Sequence, residues 1–246
     1  VTPTMGPISS VMGEIMQIAI PIGAKPSGQK NAAPPLSAMD TREYADWVLR
    51  PRLMAIPGVA QVIPIGGEVR QFQVQPNTTR MSELGVTASD LDAALKGFSA
   101  NTSGGFLEIN GREYLIRNLG RTSRLDDLRN LPLAVRAGQP ILLHQVADVQ
   151  FAPAIKRGDA GFEGLPAVIL GIQKQPTADT IALTRSIESA LADMKGSLPA
   201  GMAEPQVTFR QANFIEASIS TLQGKLIGAS VFVAVILFFF LGTLRP

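Results

Sequence analysis

The sequence predicts an α+β chain in which a split β-α-β sheet unit carries an inserted α+β module and ends in a membrane-spanning helix. Three observations predict it. The order strand, helix, strand occurs twice, once near each end of the chain. Between the two copies lies a segment of short strands and turns built around one Asn-Gly pair. Finally, Leu226 to Leu244 (LIGASVFVAVILFFFLGTL) runs nineteen residues without a charge.

Val1 to Ser10 is turn-rich, with Pro3, Gly6 and Pro7. Val11 to Ile20 (VMGEIMQIAI) is apolar enough for a buried strand. Pro21 to Pro35 holds four prolines, Gly23 and Gly28, and reads as a surface loop. Asp40, with Glu43 three residues on, has the form of a capping box. Tyr44, Trp47, Val48 and Met54 give the following helix an apolar stripe, which Pro51 should kink or end. Pro57-Gly58 is a turn, and Val59 to Ile65 a strand. The same order returns with a strand at Ala167 to Ile172 and a helix from Thr177 to Met194, capped by Thr177 or Asp179. Its inward face is Ile181, Leu183, Ile187, Ala190, Leu191 and Met194. Val207 to Phe209 begins the last strand. Two such units with right-handed crossovers lay their helices on one face of a four-stranded sheet, a ferredoxin-like split arrangement. The expected divisions are 1–67 and 152–210 for the sheet unit, 68–151 for the insert, and 211–246 for a stalk and membrane helix.

Within the insert, Glu68 to Gln75 alternates as a strand, and Thr87 and Asp90 cap a helix carrying Leu91, Ala94, Leu95 and Phe98. Gly104 to Asn118 is the clearest local signal. Phe106 to Ile109 and Arg112 to Ile116 flank Asn110-Gly111, the pair best suited to a type I′ two-residue turn. Ser123 caps a short helix with Leu125 and Leu128. Leu133 to Val135 and Ile141 to Leu143 form a second hairpin across Ala137-Gly138-Gln139, and Val146 to Phe151 closes the insert.

A bilayer core of roughly 30 Å needs about 20 apolar residues in a helix, so Leu226 to Leu244 is long enough to span it and far too long for a strand. The alternative, a buried helix of a large soluble protein, fits poorly with the block Leu237 to Phe240. Arg245 just beyond marks that end as cytoplasmic. Asn213 and Glu216 suggest an N-cap, so a helix from Phe214 to Leu244 would be about 46 Å long and its first turns would stand in water as a stalk.

Composition narrows the function. Net charge is +2 and the longest basic run is Lys156-Arg157, which argues against a nucleic-acid partner. There is no cysteine, so neither disulfides nor a thiolate metal site is available. No signal peptide is visible at Val1 to Pro7, and an external domain ending in a membrane helix then implies further sequence on both sides.

Few residues carry chemistry. His144 is the only histidine and reads as a structural group. Met12 and Met16 are the only close methionine pair. Even spacing on a strand puts them on one side, where they either fill a core or relay a soft Cu(I) or Ag(I) ion. Asp90, Asp92, Asp126 and Asp127 sit in first helical turns, which the helix dipole explains. Gly66-Gly67 and Gly104-Gly105 lack the context of a phosphate loop, and no G-x-S-x-G occurs. No enzyme activity and no cofactor are expected. The hairpin at 104–118 either packs on its own domain or reaches a neighbouring subunit with its free edge.

The stretches MGPISSVMGEIMQIAI, REYADWVLRPRLMAIPGVAQVIPIGG, GFLEINGREYLIRNLGR, LHQVADVQF and FFFLGTLRP keep the order of the resistance-nodulation-division (RND) efflux pumps. They resemble the heavy-metal branch, the CusA/CzcA-like transporters, over essentially the whole chain. The resemblance implies the second half of the first periplasmic loop plus the second membrane helix of a bacterial inner-membrane pump. Residues 1–67 and 152–210 would be a porter subdomain and 68–151 a docking subdomain. The hairpin, with Glu108, Asn110, Gly111 and Arg112, would insert into the next protomer of a homotrimer. Met12, Met16 and Ile65 would lie on strands lining the substrate path. The family's proton-relay carboxylates and methionine ligands fall outside this sequence, so no metal or proton site is expected in it. The expected partners are a periplasmic adaptor, an outer-membrane channel and membrane lipid. A drug-exporting relative and a membrane-anchored binding or sensor domain are the alternatives.

Overall fold

Continuous apolar runs set the strands of the larger sheet, and hydroxyl and carboxylate caps set several of the helix starts. The computed structural model describes residues 13–24, 33–98, 102–109, 112–118, 124–136, 138–156 and 158–241. Its elements begin with β1 (Glu14–Pro21), α1 (Ala38–Tyr44), a π-helical turn (Ala45–Leu49), α2 (Arg50–Met54) and β2 (Val59–Gly66). Next come β3 (Arg70–Pro76), α3 (Thr78–Glu83), α4 (Ala88–Phe98), β4 (Thr102–Ile109), β5 (Arg112–Asn118) and α5 (Leu125–Arg129). Then follow β6 (Pro132–Arg136), β7 (Gln139–Leu142), α6 (Leu143–Val146) and β8 (Ala147–Pro153). The chain closes with β9 (Gly161–Phe162), β10 (Leu165–Lys174), α7 (Thr180–Met194), β11 (Gln206–Arg210) and α8 (Ala212–Leu241). Two compact units result: Val1–Val69 with Ile155–Pro246, and Arg70–Ala154.

In the first unit the strand order is β11-β1-β10-β2, every neighbouring pair antiparallel. β1 and β2 therefore run parallel with β10 between them, and β10 and β11 run parallel with β1 between them. Each β-α-β unit is split by a strand of the other. The register aligns Met16 with Ile172 and Val62, and Ile18 with Leu170. These side chains share one core with Leu49, Leu53, Leu183 and Ile187 of the helices. Each such burial contributes about 1.5–3 kcal/mol. β9 joins β10 through a two-residue turn, Glu163-Gly164, with both φ values positive as a type I′ hairpin requires.

Some expectations need correction. Ser37, not Asp40, caps α1: its Oγ accepts from the Asp40 backbone N–H at 3.1 Å and donates to the Asp40 carboxylate at 2.6 Å. Pro51 neither kinks the chain out of the helix nor ends it. The π-helical turn just before it widens the spiral, with Arg50 N–H bonded to Ala45 C=O, and helix continues to Met54. Asp179 caps α7, accepting from Ala182 N–H at 2.7 Å. Asn213 does not cap α8, which starts one residue earlier at Ala212 because the Asn213 side chain is held by Arg210 instead.

The second unit pairs β3 with β8, β4 with β5 and β6 with β7, all antiparallel. Its own core gathers Met81, Val86, Leu91, Leu128, Leu143 and Val146. Thr87 and Asp90 cap α4 reciprocally, at 3.0 and 3.2 Å. The carboxyl of Asp90 is held below its ordinary value first by the Thr87 backbone N–H and then by the Thr87 hydroxyl. Asn77, which caps α3 by accepting from Arg80 N–H, went unread in the sequence. Ser123, the expected cap of the short helix, lies outside the described residues, and α5 follows Arg124 with no side-chain cap.

α8 is long and apolar enough to cross a membrane by length and composition, and none of that window is buried against the rest of the chain. At 1.5 Å per residue it is about 45 Å long. A helix apolar all round its circumference and unburied by protein matches lipid as its solvent.

Candidate functional site

The sheet of the first unit has two faces, and alternation assigns each residue to one. Helices cover the face holding Met16, Ile172 and Val62. The other face carries Ala19, Ile169 and Ile65 in one cross-strand row, then Gln17, Gly171 and Ile63 in the next. Ile65 is 47% exposed, and Ile63 and Ile169 are half-buried. This face is apolar around Ile63, Ile65 and Ile169 and polar around Glu14 and Gln17, and among the described residues it is open at Ile65 while Ala19 is fully buried.

The structure therefore separates two residues that the sequence grouped. Ile65 lies on the open face. Met16 is fully buried on the helix side, filling core. Met12 lies outside the described residues. Strict alternation also breaks at the start of β1, where the register against β10 shifts between Glu14 and Met16. That bulge puts Glu14 over Gly171, on the face opposite Met16, with its Oε1 2.8 Å from where a Cβ on Gly171 would sit.

In the hairpin, Ile109 pairs with Arg112 and Glu108 with Glu113, which leaves a two-residue connection. Asn110 and Gly111 lie outside the described residues. The register shifts between Ser103 and Phe106, placing Gly104-Gly105 at a bulge. Among the described residues this hairpin pairs only with itself. His144 bonds through Nδ1 to the Arg129 carbonyl at 3.1 Å; since a carbonyl only accepts, Nδ1 carries the proton. No group of three or more His, Asp or Glu side chains suited to a metal ion occurs among the described residues.

Sequence reading missed a polar cluster where β11 hands over to α8. Arg210, the last residue of β11, donates from Nε to Glu188 of α7 at 2.8 Å. Its Nη1 donates to Asn213 at 2.6 Å and to Glu216 at 2.8 Å, both in the first turns of α8. Arg185 of α7 approaches Glu216 from the other side at 3.6 Å. The guanidinium pKa is raised by the bond to Glu216 first and the bond to Glu188 second, so Arg210 stays charged. The side chain of Arg210 is 18% exposed and its partners are twice that. Exposed pairs of this kind contribute only about 0.2–1 kcal/mol each, so they fix geometry more than they stabilise the fold. No periodic pattern marks the cluster, because its members come from a strand end and two helices.

Comparison with known proteins bears on the whole chain. The family model described as the AcrB/AcrD/AcrF family matches residues 1–246. The cobalt-zinc-cadmium resistance protein CzcA of Cupriavidus metallidurans is 31% identical over 245 residues, covering 100% of this chain and 23% of that protein. The cation efflux system protein CusA of Escherichia coli K12 is 30% identical over 250 residues, again covering 100% of this chain and 23% of the relative. This chain thus spans about a quarter of the length of these relatives. A crystal structure of a heavy metal efflux pump superposes with a TM-score of 0.78 at 20% identity, over 98% of this chain and 23% of that one, which establishes a shared fold. With all of its residues 1–246 matched by the family model, this chain belongs to the AcrB/AcrD/AcrF family.

Proposed function

We propose that this chain is the porter and docking portion of a trimeric, proton-driven RND pump of the bacterial inner membrane that exports heavy-metal cations. The observation that carries the reading is the family match over the whole of this chain together with relatives named for cobalt, zinc, cadmium and cation efflux. The split β-α-β sheet, with chain-order strands arranged 4-1-3-2, supports a ferredoxin-like porter subdomain. Most of the chain stands in the periplasm, α8 crosses the membrane, and the open sheet face with Ile65 borders the substrate path. The porter subdomain shifts as a rigid body while the base of α8 links it to the membrane portion. The hairpin of β4 and β5 reaches the neighbouring protomer, and the pump works with a periplasmic adaptor and an outer-membrane channel.

Two measurements test this. Cells lacking their own metal pumps and expressing the full-length protein should survive higher zinc, cobalt, cadmium or copper than controls, and equal killing by all four refutes metal export. Gly111→Val should weaken trimer assembly, since a β-branched residue resists the positive φ of a type I′ turn. Unchanged trimers on native gels end the inter-subunit role of the hairpin.

A further inference from the structure

We infer that Arg210 is a positioning residue for transport: it sets the angle at which α8 leaves the sheet. The inference rests on the proposed transport function and adds the group that would carry motion from sheet to membrane helix. Three separate attachments meet at this residue. Its backbone closes the β11–β1 ladder opposite Met16, and the next residue, Gln211, still donates its N–H to the Ile15 carbonyl at 2.8 Å. Its Nε holds Glu188 on α7, and its Nη1 holds Asn213 and Glu216 on α8. The planar guanidinium is suited to this because it presents several donors in a fixed fork, whereas a lysine ammonium is a point charge on a flexible stem.

Past this clamp α8 makes little further contact. Phe214, Ile219, Leu222 and Leu226 are exposed, and none of the span-length window is buried. The exit angle therefore depends on the first two turns. Over a helix of about 45 Å, a 10° change at the base moves the far end about 8 Å, most of a helix diameter. A joint that pins the base to two elements converts a shift of the sheet unit into a defined displacement of the helix. A joint that lets the base swivel does not. Two arginines and two glutamates balance in charge, and the bonds that hold the Arg210 guanidinium above its ordinary pKa hold the Glu216 carboxyl below its own.

The test uses the full-length pump in proteoliposomes, with zinc uptake into the lumen measured per assembled trimer. Arg210→Gln should leave trimer yield and the KM for zinc unchanged while turnover falls about tenfold, and Arg210→Lys should recover part of it. Glu188→Ala, which removes the acceptor for Arg210 Nε on α7 and leaves the Arg210 bonds to α8 in place, should also slow turnover. Spin labels at Ser189→Cys on α7 and Ser220→Cys on α8 should give a narrow distance distribution in the parent and a broad one in Arg210→Gln. Wild-type turnover in Arg210→Gln and Glu188→Ala, or a raised KM with unchanged turnover, overturns the inference, as does loss of trimers in these two, which would make the cluster a folding element. If the parent itself moves no zinc, the transport reading fails for that ion. The distance measurement then judges the clamp alone, and equal distributions overturn it.

Discussion

Gly66 offers a perturbation whose size can be worked from the structure. It ends β2 at φ +80°, and a Cβ there would lie 2.3 Å from the Ala167 carbonyl oxygen and 2.7 Å from the Ala160 Cβ. Two costs follow for Gly66→Ala. Holding an L-residue in the left-handed region costs about 1–2 kcal/mol. Relieving the clash costs more, because Ala167 is fixed on both sides: it pairs with Pro21 in the sheet and its N–H is bonded to Ala160 C=O at 2.9 Å. Overpacking of this kind costs about 1–3 kcal/mol. The sum, about 2–5 kcal/mol, is a large part of the 5–15 kcal/mol of a typical domain. Gly164→Ala isolates the first cost, since Gly164 has φ +78° and nothing within 4 Å of its would-be Cβ. Urea unfolding of the detergent-solubilised chain, followed by far-UV circular dichroism, should place Gly66→Ala well below Gly164→Ala in midpoint. Equal midpoints would refute the contribution assigned to the Ala167 carbonyl.

Two further outcomes are expected. Met16→Leu should cost less than about 1.5 kcal/mol and Met16→Ala about 2–5 kcal/mol in the same unfolding assay, as for any fully buried side chain; loss of copper or silver resistance in Met16→Leu at normal stability would instead make it a ligand. Phe238→Arg places a charge among side chains that are wholly unburied by protein, at about 2.5–3.5 kcal/mol on insertion scales, and should lower the carbonate-resistant membrane fraction, whose persistence would count against lipid as the solvent of α8.

Local signals carried far in this chain where chemistry and position coincide. The strands at 59–65 and 167–172, the helix ending at Met194 and the reciprocal Thr87–Asp90 cap were legible because apolar runs and cap residues are short-range features. The misreadings came from competition between near-equivalent signals. Ser37 and Asp40 both suit an N-cap, and it is the Ser37 hydroxyl, three residues earlier, that accepts from a first-turn N–H. Pro51 reads as a stop unless a widened turn precedes it, and no sequence rule announces a π-helical turn. Met16 and Ile65 looked alike as strand residues, yet the pairing through β10 puts them on opposite faces, Met16 against Ile172 and Ile65 against Ile169. One residue of slip exchanges the faces of a strand, and register is a long-range property.

The stalk joint was illegible for a related reason, and that reason bears on what the joint is for. Asn213 and Glu216 look like a self-contained cap for the helix they begin. In the structure both turn toward Arg210, so α8 gives up a local cap for attachment to a strand and a second helix. A local cap of Asn or Asp type stabilises a helix end by about 1 kcal/mol, no less than the exposed ion pairs that replace it here. Stability therefore does not favour the arrangement. What it adds is direction: a capped helix is free to swivel at its start, whereas a helix bonded through its first two turns to a sheet and to α7 leaves at one angle. Since the span-length window of α8 is unburied by the chain, these bonds in its first two turns are its side-chain ties to the sheet and to α7 among the described residues.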